Sequence, residues 1–256
     1  MEIADTKFNS EAPTSANGKN IAVIFAGGSG RRMNNGGKPK QFLELKNKPI
    51  IIYTLEHFNN HPAIDAIVVV CLEPWIPYLK ELVGKFGIDK VTHIVPGGET
   101  GQDSIFEGLR TAAEHYPANS TVLIHDGVRP LIDEATITAN IECVPLHGSC
   151  ITCVPTIETF VVRNEEGNFD IPERKDSLIA RAPQSFVLEE ILDAHLKARE
   201  AGRHDYIDSC SLMNSYGHKL HTIIGPKENI KITTPMDYFF FRTMMDVNEI
   251  QQVFGF

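Results

Sequence analysis

Short, dense runs of apolar residues alternate along this chain with longer stretches in which apolar positions recur every three or four residues. Ile21, Val23, Ile24 and Phe25 form the first run, with the β-branched bias of a strand buried on both faces, and it empties into Gly27, Gly28 and Gly30. A helix is predicted over 49–58, opened by Pro49, with Ile50, Ile51, Tyr53, Thr54 and Phe58 on its buried side. Residues 64–72 are an apolar run of strand length, 74–86 a helix, 91–95 a strand, 102–115 a helix and 121–125 another strand. Such alternation predicts an α/β fold, a mostly parallel sheet with helices on both faces. Ligands bind such sheets where loops leave the carboxyl ends of the strands, so the loops at Gly27, Gly97 and Asp126 are expected on one edge.

From Ser149 the alternation breaks. Strand-like runs at 149–155 and 158–164 lead through Glu165, Glu166, Gly167 and Asn168 into 169–174, which reads as a hairpin projecting from the sheet. Pro183, Gln184 and Phe186 then lead into a helix over 188–200. A strand at 220–224 and a closing helix over 234–247, started by Thr234, Pro235 and Asp237, complete the pattern. Phe239, Phe240 and Phe241 in that helix read as core and interface packing. Residues 1–19 are polar, without an apolar signal-peptide core, and read as a disordered leader. One domain is expected over 20–247, with the arm at about 156–175 and a tail at 248–256.

With 256 residues, 42% hydrophobic and 22% charged, the composition is that of a soluble globular protein. A formal net charge of -9 argues against nucleic acid or an anionic membrane as the main partner. No apolar run approaches the length of a membrane span. The five cysteines, Cys71, Cys143, Cys150, Cys153 and Cys210, suit reduced core thiols of a cytoplasmic protein. Cys150 and Cys153 make a C-x-x-C, but inside a strand and with no second pair to complete a zinc site.

Against that negative charge, Arg31, Arg32, Lys38 and Lys40 follow the glycines within ten residues, which calls for an anionic ligand. The spacing of a Walker loop is absent. A dinucleotide loop would need a third glycine where Met33 stands, and Asn34, Asn35, Gly36, Gly37 and Pro39 prevent a helix from starting there. A long, basic, non-helical loop favours a nucleoside triphosphate over NAD. An NAD-dependent oxidoreductase, kept open only by Glu73, and a non-catalytic nucleotide-binding regulator are the readings from other classes. Asp126 follows the apolar strand directly and would project at the sheet edge beside the basic loop. There it suits a magnesium ion shared with phosphate oxygens, an ion pair with Arg129 being the structural alternative.

The stretch FAGGSGRRM with KPKQFLEL, the HDGVRP motif ending at Pro130, and NIKIT at 229–233 together resemble the sugar-phosphate nucleotidyltransferase superfamily, over about Asn20 to Met245. Within it they are similar to the cytidylyltransferases that make CDP-methylerythritol or CDP-ribitol. The resemblance implies a Rossmann-like sheet of nucleotidyltransferase type with a projecting β-arm. It implies transfer of CMP from CTP to a polyol phosphate, with Mg2+ and release of pyrophosphate. Ala26, Gly27, Gly28, Gly30, Gly98, Ser104 and Asp126 would contact the nucleotide, and Asp126 the metal. Arg32 and Lys40 would neutralise charge at the reacting phosphorus. Arg129, Thr159, Arg174, Asp208 and Lys231 would hold the acceptor, with Arg174 and Lys231 also taking part in the chemistry, and the arm would join a homodimer.

This chain departs from the family pattern at named places. Gln102 and Asp103 stand where a basic residue is more usual, Ala182 and Ile207 replace threonines, and Glu158 replaces an aspartate. Val128, PKQFLEL and KITTP lean towards D-ribitol 5-phosphate, used for a surface polymer, as acceptor. The alternative is 2-C-methyl-D-erythritol 4-phosphate for isoprenoid synthesis.

Overall fold

The computed structural model describes residues 18–27 and 37–254. β1 (Asn20–Ala26) is followed by a two-stranded ribbon, β2 (Glu44–Leu45) and β3 (Lys48–Pro49), and by α1 (Ile50–Asn60). Then come β4 (Ala66–Cys71), α2 (Ile76–Lys85), β5 (Val91–Pro96), α3 (Gly101–His115), β6 (Thr121–Asp126), α4 (Glu134–His147) and β7 (Ser149–Pro155). A second ribbon, β8 (Val162–Arg163) and β9 (Phe169–Asp170), precedes β10 (Leu178–Val187), α5 (Leu188–Glu200), α6 (Ser209–Ser215), β11 (Thr222–Ile224) and α7 (Pro235–Phe254).

Among the described residues the main sheet has seven strands in the order β11-β7-β10-β6-β1-β4-β5. β1 runs parallel to β4 and β6, β4 to β5, and β11 to β7, while β10 lies antiparallel between β6 and β7. Because helices cover both faces, the central strands are apolar at consecutive positions rather than alternate ones. Ala22, Ile24 and Ala26 pack with Ile51, Leu55 and Phe58 of α1, Leu79 and Leu82 of α2, and Ile137 of α4. Ile21 and Val23 face the other way, onto Ile105 and Leu109 of α3, Ile191 and Ala194 of α5, and Leu212 and Met213 of α6. Each such Val, Leu, Ile, Met or Phe side chain, removed from water, contributes about 1.5–3 kcal/mol. A third cluster, Leu45, Ile50, Tyr53, Val128, Ile232 and Phe241, docks α7 beside the carboxyl edge of the sheet.

The structure departs from the sequence reading in its second half. α4 and β10 were not expected. α4 buries Thr136 and Asn140 beside Ile137 and Val144, so its inner face is half polar, and it carries Pro145. β10 contains Pro183 within a register shift between Ala180 and Gln184, where the ladder needs no donor. The closing helix runs to Phe254, through most of what read as a tail. Of the three consecutive phenylalanines near its start, Phe241 is core while Phe239 and Phe240 are exposed. The arm is present as the β8–β9 hairpin, with Ile157, Val161, Phe169 and Ile171 exposed. The leader residues 1–17 lie outside the described residues.

Candidate active site

The strand order places three loops side by side. β6, β1, β4 and β5 are consecutive neighbours and parallel, so Gly27 after β1, Gly97 and Gly98 after β5, and Asp126 at the end of β6 reach the same edge. Gly27, Gly98 and Asp126 border a cleft of about 480 Å³, lined also by Ala26, Lys40, Ser104, Val128 and Lys231. A Cβ on Gly27 or on Gly97 would lie 2.8 Å from Ser104 Oγ, so both loops must be bare backbone for the first turn of α3 to sit against them. Thr100 caps that turn by accepting from the Asp103 amide at 3.0 Å, and Ser104 Oγ donates to the Thr100 carbonyl at 2.9 Å. The helix thus presents its amino end, which favours negative charge, to the cleft.

Lys40 is held across this opening. Its Nζ donates to the Ile232 carbonyl at 2.9 Å, and the neighbouring Gln41, buried, donates from Nε2 to the Ala26 carbonyl at 2.6 Å. Gln41 therefore ties the KPKQ segment to the end of β1, a positioning role that sequence reading did not assign.

Asp126 sits at the floor. Its Oδ2 accepts from Arg129 Nε at 2.6 Å, and its Oδ1 pairs with Lys231 Nζ at 2.6 Å. Burial disfavours the charged carboxylate, but the guanidinium and the ammonium outweigh it and hold Asp126 well below the usual carboxylate range. Arg129 Nη1 also donates to the Asn229 carbonyl at 3.0 Å, and the Ile232 amide donates to the Val128 carbonyl at 2.9 Å. The HDGVRP turn and the NIKIT segment, remote in sequence, are thereby strapped together. Asn229 Nδ2 in turn donates to the Ala182 carbonyl at 2.7 Å, joining the irregular part of β10 to the same cluster. His125 beneath is fully buried and its pKa is pushed down to about 3 by that burial, so it stays a neutral support.

A second cavity of about 230 Å³ opens on the other side of Asp126 and Lys231, lined by Phe25, Arg129, Arg181, Gln184, His195 and Asp208 among others. Asp208 caps α6, accepting from the Ser211 amide at 2.9 Å and from Gln184 Nε2 at 3.3 Å. Despite burial, those bonds keep its carboxyl below the ordinary range. The two cavities share Phe25, Gly101, Asp126 and Lys231, so one lysine and one carboxylate stand at their junction.

Of the residues expected at the site, Ala26, Gly27, Lys40, Gly98, Ser104, Asp126, Arg129, Asp208 and Lys231 line one cavity or both. Gly28, Gly30 and Arg32 lie outside the described residues. Thr159 and Arg174 are not brought in: both are exposed on the arm and line neither cavity, Arg174 Nη1 donating instead to the Ile157 carbonyl at 3.3 Å. The arm springs from the carboxyl end of β7, on the same edge as the loops, but its residues beyond Pro155 line neither cavity. Gln102 and Asp103 brace the 199–206 region, Gln102 Oε1 accepting from the Tyr206 amide at 2.9 Å and Asp103 Oδ1 pairing with Arg199 Nη1 at 2.6 Å. Cys150 and Cys153 are buried thiols whose pKa values burial raises, as expected of core cysteines.

A magnesium ion fits this donor set in one form. Among the described residues no group of three or more His, Cys, Asp or Glu could enclose a metal. Asp126 is ionised and borders the cleft, and each of its oxygens keeps a further lone pair, so it can supply one ligand while phosphate oxygens and water supply the rest.

The model of the 2-C-methyl-D-erythritol 4-phosphate cytidylyltransferase family, IspD, matches residues 20–246. A ribitol-5-phosphate cytidylyltransferase of Vibrio parahaemolyticus is 57% identical, over 92% of this chain and 100% of its own. A 2-C-methyl-D-erythritol 4-phosphate cytidylyltransferase of Clostridium botulinum is 39% identical, over 86% of this chain and 94% of its own. Among solved structures, 4-diphosphocytidyl-2C-methyl-D-erythritol synthase of Anaerococcus prevotii superposes with a TM-score of 0.76 at 25% identity, over 90% of this chain and 99% of that one.

Proposed function

Since the chain belongs to the IspD family of cytidylyltransferases, we propose that it transfers CMP from CTP to D-ribitol 5-phosphate, giving CDP-ribitol and pyrophosphate. The observation that carries this reading is the pair of cavities meeting at Asp126 and Lys231. A glycine-bordered cleft with Lys40 on its wall suits the triphosphate, and the smaller chamber suits a short polyol phosphate. The choice of ribitol rests on the name of the 57% identical relative, with Val128 and the KITTP segment in support. The 39% identical relative keeps methylerythritol phosphate as the second reading.

In this reaction an acceptor phosphate oxygen attacks the α-phosphorus of CTP, the new P–O bond forms as the bond to the β-phosphate bridging oxygen breaks, and pyrophosphate leaves. A phosphate monoester is ionised near neutral pH, so no protein nucleophile or base is required. The protein supplies position and fixed positive charge. Lys40 stands over the triphosphate side, with Arg32 assigned to the same task. Lys231, at the junction, faces the incoming phosphate, and Arg129, anchored by Asp126, stiffens that wall. Magnesium, held by Asp126, would neutralise triphosphate charge. Thr159 and Arg174 would act across a homodimer in which the arm of one protomer reaches the other. Replacing residues 159–175 by a short glycine-serine turn should then give a monomer in light scattering with reduced turnover, and an unchanged mass would discard the arm as the dimer contact.

Pyrophosphate release measured with CTP, magnesium and a panel of ribitol 5-phosphate, methylerythritol 4-phosphate and other polyol phosphates tests the whole reading. Turnover led by ribitol 5-phosphate supports it. Turnover led by methylerythritol 4-phosphate replaces the acceptor.

A further inference from the structure

Three cations and two carboxylates border the smaller chamber: Arg129, Arg181 and Lys231 against Asp126 and Asp208. Four of the five are accounted for within the protein. Asp126 is matched by Arg129 and Lys231, and Asp208 is spent on the cap of α6. Arg181 is the exception. Its Nε is buried with no hydrogen-bond partner among the described residues, although the residue lies in β10 beside Ala182, whose carbonyl is tied through Asn229 to Arg129. Burial and the nearby Arg129 charge both work against its protonated form. A buried Nε–H without an acceptor costs free energy that an acceptor on a bound ligand would recover.

His195 of α5 adds a second orphan on the same wall. It is buried, both ring nitrogens lack partners among the described residues, and burial, helped by the Arg199 charge, pushes its pKa down to about 4. A neutral imidazole offers one donor and one acceptor. The chamber therefore expects an occupant that carries both negative charge and hydroxyl-type hydrogen-bonding groups.

We propose that Arg181 binds the phosphate of the acceptor, placing its planar fork opposite Lys231, while the hydroxylated carbon chain extends towards His195. This rests on the reading of the chamber as the acceptor site and names the residue that recognises the acceptor's charged group. Ala182 and Ile207 bring no hydroxyl to this wall, which leaves recognition of a phosphate to charged groups, and a guanidinium can grip a phosphate through two parallel hydrogen bonds.

The test compares the wild type with Arg181→Ala and Arg181→Lys. With CTP saturating, KM for ribitol 5-phosphate should rise at least about tenfold in Arg181→Ala, the scale of one charge-assisted hydrogen bond, with kcat and KM for CTP within about twofold. Arg181→Lys should recover part of the loss. Melting temperature should stay level or rise in Arg181→Ala, because an unpaired buried charge is removed; a purely structural arginine would lower it. An unchanged acceptor KM, or an equal rise in KM for CTP, overturns the proposal. If another polyol phosphate is the substrate, the same split is measured with it, so the acceptor's identity can fail while Arg181 stands. If no acceptor turns over, calorimetric titration of inorganic phosphate into the free enzyme decides: binding lost in Arg181→Ala supports the site, and equal binding or none in the wild type rejects it.

Discussion

At the scale of single residues, the site shows how a sequence motif and an ion pair become one object. Asp126 and Arg129 could be read from HDGVRP either as a metal ligand and an acceptor contact or as a structural pair, and the structure makes them a pair while leaving both on the cavity wall. Lys231 was legible through NIKIT, but its contact with Asp126 was not, since no local pattern links positions so far apart. Arg181 was invisible for a different reason: a lone arginine before Ala182 carries no periodic signal, and only the cavity around it gives it meaning. Lys40 is the residue whose role is most directly tested. It borders the glycine-edged cleft and is held by the Ile232 carbonyl at 2.9 Å, so on the proposed reading its ammonium is preorganised for charge that grows during transfer. Lys40→Ala should lower kcat by about 10²-fold or more with a smaller effect on CTP affinity, the scale seen when one preorganised transition-state donor is lost. Steady-state kinetics with near wild-type kcat would remove Lys40 from the chemistry.

At the scale of elements, the parallel half was readable because strand and helix differ there in length and period. β1, β4 and β6 are largely runs of apolar residues, and α1 and α3 carry apolar stripes. α4 hid because its buried face includes Asn140, which donates to Thr152 Oγ1 and accepts from Ser185 Oγ, polar contacts that leave no apolar stripe. β10 hid because Pro183 interrupts a run that tertiary pairing on both sides nevertheless makes a strand. Helix α3 links packing to function. Gly108 lies so close to the sheet that a Cβ would meet Val23 Cγ1 at 2.6 Å and Val70 Cγ2 at 2.8 Å. Gly108→Ala must push α3 outward or distort β1 and β4. The helix-propensity gain of alanine, about 1 kcal/mol, is then opposed by overpacking of about 1–3 kcal/mol. Because the same helix carries Ser104 against Gly27 and Gly97, the displacement should also raise KM for CTP. Unfolding in urea together with CTP kinetics checks both effects, and a variant more stable than wild type with unaltered KM would show that the helix seats without strain.

At the scale of the whole molecule, the alternation of runs was enough to foresee a sheet covered on both faces and a shared edge for the loops, because those follow from burial and chain direction alone. The reversal at β10 and the course of the arm depend on long-range pairing that no local pattern encodes. The same double-sided cover that makes the core also buries histidines, and this gives the fold a characteristic response to acid. His125 and His195, ordinarily near 6.5, are pushed by burial to about 3 and about 4. The unfolded chain therefore takes up protons at these positions as pH falls through 6.5, while the native chain does not until much lower pH. Stability is full above that value and declines below it. Asp126, Asp208 and Asp103 shift the opposite way relative to their charge, so their contributions persist until pH falls below the ordinary carboxylate range near 4. Between about pH 4 and 6.5 the buried histidines thus dominate the slope. At pH 5 each of the two should cost about 2 kcal/mol relative to pH 7. Urea unfolding at pH 7, 6 and 5 should show a falling midpoint, and His195→Leu should reduce the loss between pH 7 and 5 by about 2 kcal/mol. A midpoint that stays level across this range would mean that the native protein admits protons to these sites, and that the core around α5 opens more readily than its packing suggests.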